Sequence, residues 1–202
     1  MLCRQQVSRP PGCCSRFNEQ TSGQVSANRT AAKAKRTSIY YQFEEAAKAR
    51  GKDDCIWSRA GNYTWEEAYA RANQYAQFFL SHGVGPGEFV GFFMRNTPDF
   101  PLAWFGLTAI GASPALLNCS LKGESLLHCI DVAVPKVILV DGESELLDKV
   151  NEVKGHLASK DPIVVDLGLL RPHIYSLPAT RPPDELRSAV TPASPMMLFY
   201  TR

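Results

Sequence analysis

The stretch PKVILVD, residues 135–141, constrains the fold more than any other. Four consecutive apolar residues, three of them β-branched, are closed by an aspartate. At this length, a run without polar alternation reads as a strand covered on both faces. It stands between GESLLHCIDVA and SELLDKVNEVKGHLA, both apolar at helical spacing. The alternation continues on either side. EFVGFFM, ASPALLN and DPIVVDLG read as strands, and NTPDFPLAWFGLTAIG reads as a helix with prolines in or near its first turn and Gly111 behind it. Strands alternating with helices, and apolar enough to be buried on both sides, predict an α/β fold with a parallel sheet and flanking helices.

Ahead of this pattern, SIYYQFEEAAKARG spaces Ile39, Tyr40, Phe43, Ala46 and Ala47 for a helix that Gly51 stops. A β-hairpin is expected next, from Cys55 to Arg59, with a turn at Ala60-Gly61-Asn62 and a short return strand. Thr64 and Glu67 stand three apart, the spacing of a capping box, and the helix behind it should bury Ala68, Ala72, Tyr75, Ala76, Phe79 and Leu80. Residues 1–37 are rich in Ser, Arg and Lys, with Glu19 the one acid, and read as a disordered basic tail or a targeting segment. Residues 171–195 hold six of the fourteen prolines and read as an extended connector rather than a packed element. It leads to SPMMLFYTR, where an apolar strand begins at Met196 and reaches Thr201, so the sheet is expected to be incomplete within these 202 residues.

The search for chemistry is mostly negative. A net charge of +2 argues against a nucleic-acid partner. Cys3, Cys13, Cys14, Cys55, Cys119 and Cys129 include no C-x-x-C pair and read as reduced thiols of an intracellular protein. The uncharged stretch 100–121 could span a bilayer by length, but Pro101, Gly111, Pro114 and Asn118 favour a buried helix, a stop and a buried strand. GVGPGEF has its glycines after a helix and before a strand, the reverse of a phosphate-cradling loop, so Gly83, Gly85 and Gly87 read as a helix cap and a turn. His128 sits on an apolar helix face and is expected to be buried, while His82 and His156 suit helix ends. Glu44-Glu45, Asp53-Asp54 and Glu66-Glu67 read as solvated surface. The stripe with Trp104 and Phe105 reads as core. No catalytic constellation stands out.

NYTWEEAYARANQYAQFFLSHGVGPGEFVGFFMRNTPDFPLAWFGLTAIGASPALLN, then SLLHCI, then PMMLFYT together resemble the adenylate-forming acyl-CoA synthetases. GASPALLN…LKGESLLHC and SIYYQFEE are most similar to the fatty acid transport protein and very long-chain acyl-CoA synthetase branch. The resemblance implies that residues 38–202 are the N-terminal portion of the adenylate-forming enzyme large domain. It also implies ATP, Mg and CoA as cofactors of the full-length family, and a fatty or other carboxylic acid as substrate. In the family, a strand ending in Phe/Tyr-Thr enters a Ser-Gly-Thr-Thr-Gly loop that holds the ATP phosphates. Phe199, Tyr200 and Thr201 match that approach, Thr201 is the one cofactor-binding position carried over, and Arg202 stands where the family has Ser.

Three readings follow. The chain is the N-terminal part of an acyl-CoA ligase, inactive alone because the phosphate loop and later segments lie outside it. Or it is a non-enzymatic remnant that aggregates or binds a partner through an exposed sheet edge. Or it is a small nucleotide-binding module, against which the reversed glycine turn argues. The branch implies membrane association, and cytoplasmic, peroxisomal and endoplasmic reticulum placements stay open.

Overall fold

The computed structural model describes residues 36–59, 61–158 and 161–200. The expectations placed on residues 1–35 and on Thr201 and Arg202 lie outside the described residues. Helix α1 (Ile39–Arg50) is capped by the Ser38 hydroxyl, which accepts from the Tyr40 amide. The hairpin β1 (Asp54–Ser58) and β2 (Gly61–Thr64) follows as an antiparallel pair. The capping box is present at the start of α2 (Trp65–Ser81), with Thr64 and Glu67 satisfying each other's backbone donors. Those bonds, the Thr64 amide first, hold the Glu67 carboxyl below its usual range.

The α/β portion comprises β3 (Phe89–Phe93), α3 (Asp99–Ala109), β4 (Ser113–Leu116), α4 (Gly123–Ala133), β5 (Val137–Val140), α5 (Ser144–Lys154), β6 (Ile163–Asp166) and α6 (Leu167–Ser176). The four strands lie in the order β4-β3-β5-β6, all parallel. Stretch 100–121 is therefore a buried helix, a stop at Gly111 and a strand. Among the described residues, no helix is long and apolar enough to cross a membrane.

Side chains of the central strand β5 alternate between two cores. Val137 and Leu139 face the layer formed by α1, α2, α3 and α6. Ile138 and Val140 face α4 and α5. In the first layer, Phe43 stacks on Phe105 at 3.9 Å, so the aromatic stripe of α3 is core. A Cβ on Gly106 would lie 2.7 Å from Tyr75 Cβ and 2.8 Å from the Ala72 carbonyl, so α2 and α3 cross too closely there for a side chain.

Four expectations need correction. Residues 171–195 are not simply an extended connector. Asp166 ends β6 and its carboxylate accepts the Gly168 amide, so α6 starts there, with Pro172 inside it. A 3₁₀ turn follows at Asp184–Arg187, with Arg187 fully buried. Second, the last apolar run is not a full strand. It pairs with β4 in parallel through one bridge, Leu198 to Ala115, while Met196 and Phe199 stay exposed. Third, Glu44 is buried rather than solvated. It accepts from the Tyr69 hydroxyl at 3.0 Å and from Arg181 at 2.7 and 3.2 Å. Fourth, His128 is exposed, because the buried stripe of α4 runs through Leu126, Cys129, Ile130 and Ala133.

Candidate functional site

In an open parallel sheet, ligands bind beyond the carboxyl ends of the strands, where helices leave for opposite faces. The strand order reverses between β3 and β5. Helix α3 carries the chain from β3 outward to β4 over one face and α5 carries it from β5 outward to β6 over the other, so the switch point lies between these neighbouring strands. The chain leaves β3 through Met94, Arg95, Asn96 and Thr97, and leaves β5 through Asp141 and Gly142. The Arg95 amide donates to Asp141 Oδ2 at 2.7 Å, tying the two loops together. The Arg95 guanidinium also pairs with Glu143 at 2.7 Å, with both side chains about half exposed, which makes the pair worth little by itself.

Two polar atoms in this crevice, Asp141 Oδ1 and Thr97 Oγ1, are buried without a hydrogen-bond partner. Such atoms cost stability, and a group supplied to them would relieve that cost. Cys119, just after β4, is half buried. Burial first, then the neighbouring Asp141 charge, pushes its thiol up, and Arg95 and Lys149 oppose this only in part. A raised thiol is a poor nucleophile. Lys149 donates to the Cys119 carbonyl at 3.2 Å and pairs with Glu145 at 2.7 Å. Behind the crevice the loop after β5 touches the first turn of α6. A Cβ on Gly142, which has φ +85°, would stand 2.7 Å from Gly168 Cα, so this contact requires glycine.

The segment 194–200 belongs to the same end of the sheet. Leu198 donates to the Pro114 carbonyl and accepts from the Leu116 amide, both at 2.9 Å, and Ser113 donates to the Pro195 carbonyl at 2.6 Å. Because the pairing is parallel, its carboxyl end is directed as those of β3–β6 are. The Tyr200 hydroxyl donates to the Cys129 carbonyl at 2.7 Å, and burial pushes that phenol up to about 12. Thr201, the residue the resemblance selects, lies outside the described residues.

The crevice can bind but holds no acid–base or nucleophile pair. The histidines lie elsewhere: His82 at the end of α2, where Nδ1 meets the Phe78 carbonyl at 2.8 Å, His156 past α5, and His173 on α6. Among the described residues, no group of side chains could hold a metal ion. The glycine turn 83–87 sits at the amino end of β3, opposite the crevice, with Gly83 and Gly87 at φ +72° and +77° as a cap and a turn. Arg95, Thr97 and Asp141 carry no local signal beyond lying within a few residues of the end of an apolar strand. The thiols described, Cys55, Cys119 and Cys129, are free.

The sequence is similar to those of several known proteins. Isopenicillin N epimerase component 1 of Hapsidospora chrysogena is 36% identical over 124 residues, covering 61% of this chain and 20% of its own length. Long-chain fatty acid transport protein 6 of Mus musculus is 39% identical over 92 residues, 45% of this chain and 14% of its own length. The chain thus spans about a fifth or less of these relatives. Among solved structures, a Mycobacterium tuberculosis fatty acyl CoA synthetase superposes with a TM-score of 0.71 at 18% identity, over 85% of this chain and 33% of the other. This likeness shows the fold, an α/β fold with a parallel sheet and flanking helices. The family model described as AMP-binding enzyme matches residues 43–201, which is most of the chain and both sides of the switch-point crevice. With strand order, helix placement and sequence in agreement, this chain belongs to the AMP-binding enzyme family.

Proposed function

We propose that the chain supplies the amino-terminal part of the large domain of an ATP-dependent fatty acyl-CoA ligase, which converts a carboxylate, ATP and CoA into acyl-CoA, AMP and pyrophosphate. One observation carries this reading. The family match runs through residue 201, and residues 196–200 lie parallel beside β4, directed toward the switch-point end of the sheet. Relatives named as fatty acid transport proteins and as a fatty-acid–CoA ligase support the substrate class.

The described residues do not fit the phosphates of a nucleotide or its Mg. Their one glycine-rich turn is at the wrong end of the sheet. No step of phosphoryl transfer is therefore assigned to them. In this reading Thr201 contributes its hydroxyl to the phosphate site, ATP, Mg and CoA are held by segments beyond these residues, and the 202-residue chain does not catalyse the reaction alone. The protein works inside the cell, and its association with membranes follows the fatty acid transport relatives.

The test has two arms. The 202-residue chain should show no fatty-acid-dependent ATP–pyrophosphate exchange. A fusion in which residues 38–201 replace the matching part of a long-chain fatty acid transport protein should form acyl-CoA. Exchange by the chain alone would remove the claim of inactivity, and a folded fusion that makes no thioester would remove the ligase assignment. A second reading, partner binding through the open edge, is favoured by Met196 and Phe199, 49% and 64% exposed beside the last bridge. A monomer in sedimentation, soluble and cooperatively melting, would count against it.

A further inference from the structure

After α6 the chain crosses the helical layer from the β6 side of the sheet to the β4 side. This strap, residues 177–195, is held largely by side chains reaching its backbone. Gln74 donates to the Tyr175 and Leu177 carbonyls at 2.8 Å, Gln77 to the Thr180 carbonyl at 2.7 Å, and Arg181 pairs with buried Glu44 at 2.7 Å. Arg187 goes further than Arg181, whose side chain is about a third exposed, because the strap buries this side chain completely. Its guanidinium is completely buried, donates to the Ala109 carbonyl, to Asp184 and, at 3.3 Å, to the Pro182 carbonyl, and lies 4.7 and 5.1 Å from the ring centres of Tyr40 and Tyr41. A buried guanidinium is costly unless paired, and this one leaves Nε without a partner. Beyond it, residues 188, 189 and 191–193 are exposed, until Ser113 donates to the Pro195 carbonyl and Leu198 joins β4.

We propose that Arg187 is a latch that sets the edge segment 195–200 against the sheet. Seated on Tyr40, Tyr41 and the last turn of α3, it fixes where the strap ends and so the register in which Leu198 meets β4. Released, residues 188–200 leave the sheet as one unit while β3, β5 and β6 keep their pairing. Lysine cannot replace it, because the seat uses both a planar fork and a stacking face. The inference goes beyond the proposed activity. Only its consequence, that the latch positions the approach to Thr201, rests on that reading.

Amide hydrogen exchange on the 202-residue chain tests this without catalysis, so its outcome is independent of whether the chain belongs to a ligase. In wild-type protein at low urea, the Val190, Leu116 and Leu198 amides should open together, before those of Ile138 and Leu139. In Arg187→Lys, Leu116 and Leu198 should exchange at least about tenfold faster with Ile138 and Leu139 unchanged. Ser113→Ala should free Leu198 but leave Val190 protected. The latch is overturned if Leu198 keeps its wild-type rate in Arg187→Lys. It is equally overturned if, in the wild type, Leu116 and Leu198 exchange only with the whole sheet; that arm decides the matter should the lysine variant not fold.

Discussion

On the face of the sheet covered by α1, α2, α3 and α6, aromatic rings share the interior with buried polar groups. On the face covered by α4 and α5, the interior is aliphatic apart from Phe93 and Cys129, with Tyr200 at its margin. The first face must satisfy hydrogen bonds between residues far apart in sequence. Asp99, buried at the start of α3, accepts from Tyr75 at 2.6 Å, from Tyr175 at 2.8 Å and from Arg171 at 2.8 Å. Burial and then Asp99 push Tyr75 well above the ordinary phenol range. The second face needs only volume and an apolar stripe on each helix. One side of this sheet is specified by chemistry and the other by shape.

The comparison is broken most severely at Asp99. Asp99→Ala should lose about 3–5 kcal/mol, because Arg171 and two phenols are left without their acceptor; urea unfolding of the variant measures it. If the loss were no larger than for a surface carboxylate, the polar network would be ornament. On the aliphatic face, Leu126→Ala should lose about 2–5 kcal/mol, as a cavity without any unpaired polar atom. Xenon or a small apolar ligand should recover part of that loss and should recover none in Asp99→Ala.

Acid should distinguish the faces too. Burial alone would push Glu44 up, but hydrogen bonds from Arg181, Tyr69 and Lys48 outweigh it and hold the carboxyl at about 2, below its unfolded value of 4.5. A depressed carboxyl contributes stability that is complete above its unfolded pKa and is lost as pH falls toward the folded one. The contribution is on the order of 3 kcal/mol. Wild-type protein should therefore lose stability more steeply than Glu44→Gln between pH 5 and 2.5, and parallel curves would refute the pairing. The smallest effect expected is a gain. Val134, just past α4, has φ +46°, an unfavourable left-handed conformation for a β-branched residue. Val134→Gly should stabilise by about 0.5–1 kcal/mol, read as a raised Tm.

How legible each region was follows the same division. Helices α4 and α5 and strands β3 to β6 could be read from apolar periodicity, since their burial depends on neighbours three or four residues away, or on alternate residues of a strand. Thr64 and Glu67 were legible for the same reason, both partners lying within one turn. Glu44 was not: its pairing with Arg181 spans 137 residues, and nothing local separates it from exposed Glu45. The prolines of 171–195 suggested an open connector because each lacks an N–H. Proline does not prevent a segment from accepting hydrogen bonds, and the carbonyls of Leu177, Thr180 and Pro182 are what Gln74, Gln77 and Arg187 use.

From the sequence alone came the parallel α/β plan, the helix limits set by caps and glycines, and the family. These depend on interactions within a few residues or on motifs kept in order along the chain. Tertiary structure alone decided that Arg95, Thr97 and Asp141 share one crevice, that Asp99 and Glu44 are buried hubs, and that Arg187 anchors the strap. Each of those is a meeting of side chains brought together by strand order and helix crossing, and the energy of such a meeting has no counterpart in the local sequence.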